Sequence, residues 1–116
     1  MLVRIDPASG VPLADQIAAH VRGAVAAGTL APGDRLPAAR DLAESLQVNM
    51  HTILRAYARL RDEGLIELRR GRGATVRRGD AADRARLVDA VQNLLDAGRR
   101  LGLDVEELVD EVRRLA

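Results

Sequence analysis

The stretch Leu46-Gln47-Val48-Asn49-Met50-His51-Thr52-Ile53-Leu54-Arg55-Ala56-Tyr57 decides the fold. Upstream of it, Ala38 to Leu46 has the length and apolar spacing of a short helix. Leu42, Ala43 and Leu46 lie on the face that buries, and Arg40, Asp41, Glu44 and Ser45 on the other. A tight polar step follows. A second helix, about Met50–Glu63, opens on small hydrogen-bonding side chains and stops at Gly64. Asn49 stands in the cap position, where its side chain can accept a bond from the amide of His51 or Thr52. Ile53, Ala56, Tyr57 and Leu60 form the apolar stripe of this helix. A helix pair of this kind gathers donors and acceptors at one exposed tip, which fits the major groove of DNA.

Toward the amino terminus, Leu2-Val3-Arg4-Ile5 reads as an edge strand, and Asp6-Pro7 with Ser9-Gly10 as turn chemistry. Another helix runs from Pro12 to Ala27. Pro12 suits its first position and Gly28 its stop. Leu13, Ile17, Val21 and Val25 repeat every four residues, with Ala18 and Ala24 beside them. Leu30-Ala31-Pro32-Gly33-Asp34 is a loop built on a Pro-Gly turn. Toward the carboxyl terminus, Leu65–Arg69 and Ala74–Arg78 read as strands joined by the glycine turn Arg70-Gly71-Arg72-Gly73, a hairpin.

After Gly79-Asp80 the helical period returns. Leu87, Val88, Val91, Leu94 and Leu95 share one face of a helix ending near Arg100, with Gly98 a weak point in it. Asp104 and Glu107 have the spacing of a capping box. The last helix carries Val105, Leu108, Val109, Val112 and Leu115 on one side. Two such helices cannot enclose a core of their own. Their apolar faces need either the preceding domain or a second copy of themselves.

Composition narrows the function. The chain has 116 residues, 47% of them hydrophobic, and one aromatic, Tyr57, so its core is aliphatic. It has no cysteine, hence no disulfide or thiolate metal site. It has no long apolar run and no signal-peptide pattern, which points to the cytoplasm. Formal net charge is +1, unevenly spread: residues 1–80 hold 12 arginines against 9 acids, and residues 81–116 hold 6 against 8. Between Leu68 and Gly79 there are five arginines and no acid. His20 and His51 have no metal-binding spacing with carboxylates, and no nucleophile elbow or phosphate-binding glycine loop is present, so catalysis, a metal and a cofactor are all unsupported. The competing binding role is a winged helix that docks on protein. The acid-free, arginine-rich stretch between Leu68 and Gly79 argues for nucleic acid instead.

Helix, helix–turn–helix, then basic hairpin is the order of a winged helix-turn-helix. The residues are also similar to one family. Pro12-Leu13-Ala14-Asp15-Gln16-Ile17, Gly28 to Pro37, Arg40-Asp41-Leu42-Ala43, Val48-Asn49, Thr52, Ala56-Tyr57, Leu60, Glu63-Gly64-Leu65-Ile66 and Arg70 to Val76 resemble the DNA-binding domain of the GntR family of bacterial transcription regulators. The resemblance runs over about residues 12–77. The short two-helix tail, with Val48-Asn49 and Ala56-Tyr57, resembles the YtrA subfamily, whose members dimerise through this appendage and are often encoded beside transporter genes. Two positions depart from the family. Ala38 stands where Ser is common, which removes a side-chain cap worth about 1 kcal/mol. Met50 stands where many members have Arg and the YtrA subfamily often has Pro.

The expected fold is mainly α with a small β-hairpin wing (α+β). Residues 1–79 would form the winged helix-turn-helix domain and 80–116 a helical dimerisation appendage, with an end at Ala116 that reads as whole rather than as the stump of a larger domain. The resemblance implies that Arg40 reaches the groove, where its fork can bind O6 and N7 of guanine. Arg35 meets a phosphate or pairs with Asp34 or Asp41. Asn49, Met50, His51 and Thr52 form the tip of the reading helix, with Arg55 reaching the backbone one turn on. Thr52 could equally be a second cap and His51 a surface histidine; Tyr57 reads as core with its hydroxyl at the rim. Arg70, Gly71 and Arg72 form the wing tip, close to the minor groove. The partners expected are double-stranded DNA, a second copy through Leu87, Val91, Leu94, Leu95, Leu108, Val109, Val112 and Leu115, and a small-molecule effector of undefined class. The alternative for the tail is folding back on its own head.

Overall fold

The computed structural model describes residues 3–116. The elements follow in the order α1 (Leu13–Ala26), α2 (Ala39–Leu46), α3 (Met50–Asp62), β1 (Ile66–Arg69), β2 (Gly73–Val76), α4 (Ala81–Arg100) and α5 (Val105–Leu115). This is the expected α+β winged arrangement, with element ends displaced by one or two residues. Pro12 is the cap of α1 rather than its first helical residue.

The expected strand at the amino terminus does not form. Leu2 lies outside the described residues, and Val3–Ile5 adopt no regular structure. Val3 is instead buried in the core, with Ile5 packed beside it. The turn after it is held by Gln16, whose side chain accepts from the Asp6 amide at 2.7 Å and donates to the carbonyls of Asp6 and Val11 at 3.0 and 2.9 Å. Those side-chain bonds satisfy backbone groups of the turn itself.

The core forms where the stripes of α1 and α3 face each other. Ile17, Val21 and Val25 from α1 and Ile53, Tyr57 and Leu60 from α3 are buried, joined by Leu42 and Ala43 from α2 and by Leu65, Ile66, Ala74 and Val76 from the hairpin. Each fully buried aliphatic side chain contributes about 1.5–3 kcal/mol relative to exposure. Tyr57 is 3% exposed and its hydroxyl donates to the Pro37 carbonyl at 2.7 Å, tying α3 to the entrance of α2.

Burial pushes the Tyr57 phenol up from 10.0 to about 12. The unfolded chain ionises first as pH rises through the ordinary value, so stability is full below about pH 10 and declines until the folded phenol also ionises. The loss amounts to about 2–3 kcal/mol by pH 12. Tyr57 is the one aromatic residue, so phenolate absorbance reads it without interference. A folded-state midpoint near 12, and an alkaline fall in Tm that Tyr57→Phe lacks, are expected. A midpoint near 10 in folded protein would show the hydroxyl to be solvated.

The hairpin pairs Ile66 with Val76 and Arg69 with Gly73, antiparallel. It has a third member. Arg35 bridges Thr75, and the amides of Gly33, Leu36 and Val76 bond to the oxygens of Val76, Ala74 and Asp34 at 2.9, 2.9 and 2.8 Å. Residues 33–36, expected as plain loop, therefore flank β2 as an extended edge and join the wing to α2.

The appendage begins inside the head. Ala81 and Ala85, on the first turns of α4, belong to the head's core. Arg84 Nε donates to the Glu63 carbonyl at 2.9 Å, and an Arg86 Nη donates to the Ala26 carbonyl at 3.0 Å. The C-terminal ends of α3 and α1 are thereby closed by cations of α4, which their dipoles favour. Gly64, with φ +78°, turns the chain out of α3, and the Arg84 guanidinium lies where a side chain at that position would stand. Farther along, α5 doubles back on α4. Its start carries the expected capping box: Asp104 accepts from the Glu107 amide at 2.8 Å, and Glu107 accepts from the Asp104 amide at 3.1 Å.

Candidate nucleic-acid interface

The tip of α3 is built by its cap. Asn49 Oδ1 accepts from the His51 amide at 2.8 Å, as the sequence predicts, leaving the Asn49 amide nitrogen free to donate. The turn into it is made by Gln47, at φ 54° and ψ 47°, the one non-glycine residue with positive φ among the described residues. That left-handed conformation costs about 1–2 kcal/mol. It ends α2, whose own start at Ala38 has no side-chain cap, as the departure at that position implies. Met50 (39% exposed), His51 and Arg55 stand out from the helix, and Thr52 is half-buried at its base.

Arg40 projects from α2 as an exposed side chain, and Arg70, Gly71 and Arg72 are exposed at the wing tip. Gly71 takes φ +77° with nothing within 4 Å of a side chain placed there, so its need for glycine is conformational, not steric. The wing and α3 flank an apolar cleft of about 290 Å³, floored by Ala38, Ala39, Leu54 and Leu68 and edged by Arg70. The α2 entrance, the outer face of α3 and the wing thus share one surface.

The arginines divide into two groups. Among the described residues, Arg40, Arg55, Arg70 and Arg72 have neither a carboxylate within 4.0 Å nor a hydrogen bond from the side chain. By contrast, Arg59 pairs with Asp15 and Glu63, Arg61 with Asp62 and Arg69 with Glu67. A guanidinium held ready for an external anion is left without an internal one, and that is the pattern at these four positions, shared by the exposed Arg78 and Arg100. Arg35 pairs with neither Asp34 nor Asp41. Asp34 is occupied by the Ala31 amide at 2.8 Å, and Arg35 Nε and Nη2 donate to the Arg72 carbonyl at 3.1 and 2.7 Å. Arg35 therefore latches the wing turn and keeps only Nη1 uncommitted.

One buried charged residue escaped the sequence reading. Arg22 is 4% exposed and sits within the apolar stripe of α1, one turn from Ala18 and from Val25. Its fork meets Glu63 at 3.0 and 2.8 Å and reaches Asp89 on α4 at 3.4 Å. A charged residue at a stripe position was the available signal.

On the appendage, Leu87 (58% exposed), Val91, Leu94, Val112 and Leu115 (73%) are exposed, as are Leu101 and Val105. Leu95 and Val109 are half-buried. Leu108 is buried within the subunit, packed on Gly98, so it closes the hairpin of α4 and α5 rather than presenting itself outward. Among the described residues no helix is long and apolar enough to cross a membrane.

Known proteins match this arrangement. The family model of bacterial regulatory proteins of the gntR family matches residues 13–76. The HTH-type transcriptional regulator Rv1152 of Mycobacterium tuberculosis is 40% identical over 87% of this chain and 83% of its own length. The HTH-type transcriptional repressor YtrA of Bacillus subtilis is 39% identical over 65% of this chain and 58% of its own. Among solved structures, YtrA from Sulfolobus acidocaldarius, a GntR-family transcription factor, superposes with TM-score 0.64 at 36% identity, covering 79% of this chain and 97% of that one. The AraR DNA-binding domain, in complex with operator ORX1, superposes with TM-score 0.57 at 25% identity, covering 63% and 90%. With more than half its residues inside the family model and two YtrA proteins among its relatives, the chain belongs to the gntR family of bacterial regulatory proteins, within the YtrA subfamily.

Proposed function

We propose that this regulator binds a specific double-stranded DNA operator as a homodimer and represses transcription by occupying it, with 1–79 as the reading head and 80–116 as the dimerisation appendage. The observation that carries the proposal is the set of arginine side chains left without internal partners, Arg40, Arg55, Arg70 and Arg72, around a capped helix tip. The AraR domain, similar in fold, is held on an operator in its complex. In this reading Arg40 recognises guanine from α2, while Asn49, Met50, His51 and Thr52 meet base edges and the first phosphate. Arg55 and the free nitrogen of Arg35 meet backbone, and Arg70, Gly71 and Arg72 follow the minor groove.

A single head covers too little DNA for useful specificity. Two heads related by a two-fold axis read an inverted repeat with half-sites about one helical turn apart. Leu87, Val91, Leu94, Val112 and Leu115 supply the face that joins them. The expected genetic setting, autoregulation plus control of a neighbouring transporter operon, rests on the subfamily resemblance.

Selection of bound duplexes from a random pool is the test. It should enrich a palindrome, and recovery of none would refute the dimer. Arg40→Ala should relax preference at one base pair, at about 1–3 kcal/mol of discrimination. Arg72→Ala should weaken all duplexes alike and make the salt dependence shallower by about one phosphate. A base-selective effect at Arg72 would reverse its assignment.

A further inference from the structure

We infer that Arg22 is a positioning residue: it fixes the angle at which α4 leaves the head relative to α3, and thereby the half-site spacing that the dimer accepts. The inference rests on the proposed two-fold DNA binding. Its basis is a junction of three helices centred on the buried Arg22. Arg22 of α1 forks onto Glu63, the residue that closes α3, at 3.0 and 2.8 Å. Its remaining nitrogen reaches Asp89 of α4 at 3.4 Å. The same Glu63 presents its carbonyl to Arg84 of α4 at 2.9 Å, and its carboxylate lies 3.7 Å from Arg59. The carboxyl end of the reading helix and the start of the appendage are therefore held by one set of charges.

Stability alone does not account for this choice. A buried ion pair is generally no more stabilising than aliphatic side chains of similar volume, and the stripe around Arg22 is otherwise aliphatic. What the planar fork adds is direction: two parallel bonds to one carboxylate accept a narrow range of orientations, unlike apolar packing or an ammonium. In a dimer joined through α4 and α5, the junction angle sets both the separation and the rotation of the two heads. Adding one base pair between half-sites turns one of them by about 35° and moves it about 3.4 Å along the duplex. A fixed junction cannot follow that change, and a loosened one can.

The test compares the full-length chain with Arg22→Lys on a series of inverted repeats whose spacing differs by one base pair on either side of the selected optimum. Lys keeps a cation opposite Glu63 but loses the fork. Dimer mass and Tm are measured alongside. The native protein should lose at least about tenfold in affinity for one base pair of misfit, and the variant no more than about threefold, with its optimum affinity reduced. Should Arg22→Lys fail to fold, Arg84→Ala/Arg86→Ala/Asp89→Asn carries the same comparison, since it removes the polar contacts of α4 with the junction while leaving its apolar packing through Ala81 and Ala85 and the Arg22–Glu63 pair. A folded dimeric variant with a spacing profile as narrow as the native one overturns the inference. A native protein that binds single half-sites as tightly as the repeat refutes the two-fold reading, and the inference with it.

Discussion

Replacing Val91 and Val112 together with Asp should leave a folded head, a monomeric protein and operator binding weakened by at least about a hundredfold, the lower end of what coupling two modules gains. Both side chains are about half exposed in the single chain, at 44% and 52%, and neither belongs to the buried core of the head. Little intramolecular burial is lost. In a dimer the same change places four carboxylates in an apolar contact, and desolvating each costs several kcal/mol. Light scattering reports the mass, and titration of full and half operators reports the coupling. The variant should treat the two duplexes nearly alike. A variant that remains dimeric would move the contact elsewhere on the surface.

Gly98→Ala should weaken the dimer although it improves the helix. Inside α4, alanine is favoured over glycine by about 1 kcal/mol in intrinsic propensity. The added methyl, however, would lie 2.7 Å from Leu108 Cδ1 and 2.8 Å from Cδ2. Overpacking of this kind costs about 1–3 kcal/mol. Leu108 is 7% exposed and is the one buried residue of α5, so nothing else on that helix absorbs the displacement. The hairpin opens, and the apolar residues of α4 and α5 lose their common surface. The expected result is greater helicity by circular dichroism with dimer dissociation raised by about tenfold to a hundredfold, equivalent to about 1.4–2.8 kcal/mol. Gly98→Ala/Leu108→Ala should recover part of the loss by removing the clash. A tighter dimer in Gly98→Ala would show the hairpin angle to be irrelevant to association.

These two positions mark what the sequence did and did not disclose. The period of Leu13, Ile17, Val21 and Val25, the Asn49 cap, the glycine stops and the Asp104–Glu107 box are local signals, and each corresponds to an element or cap in the structure. Gly98 read locally as a helix weakness; its neighbour Leu108 is ten residues away, and only the fold brings it over the glycine. Arg22 and Glu63 are likewise far apart in the chain, and Arg35 finds the wing through a bridge to Thr75 that no turn motif announces. For the interface, residue type and position at the helix tip were legible. Which arginines have internal partners was not, because Asp15 takes Arg59 from another helix.

The latch at the wing has an evolutionary consequence. Arg35 grips the main-chain oxygen of residue 72, not its side chain. Every amino acid supplies that oxygen, so substitutions at this position change what the hairpin offers the duplex without releasing it from the body of the domain. Paralogues can therefore diverge in overall grip on DNA at this site one codon at a time, with the architecture insulated from each step.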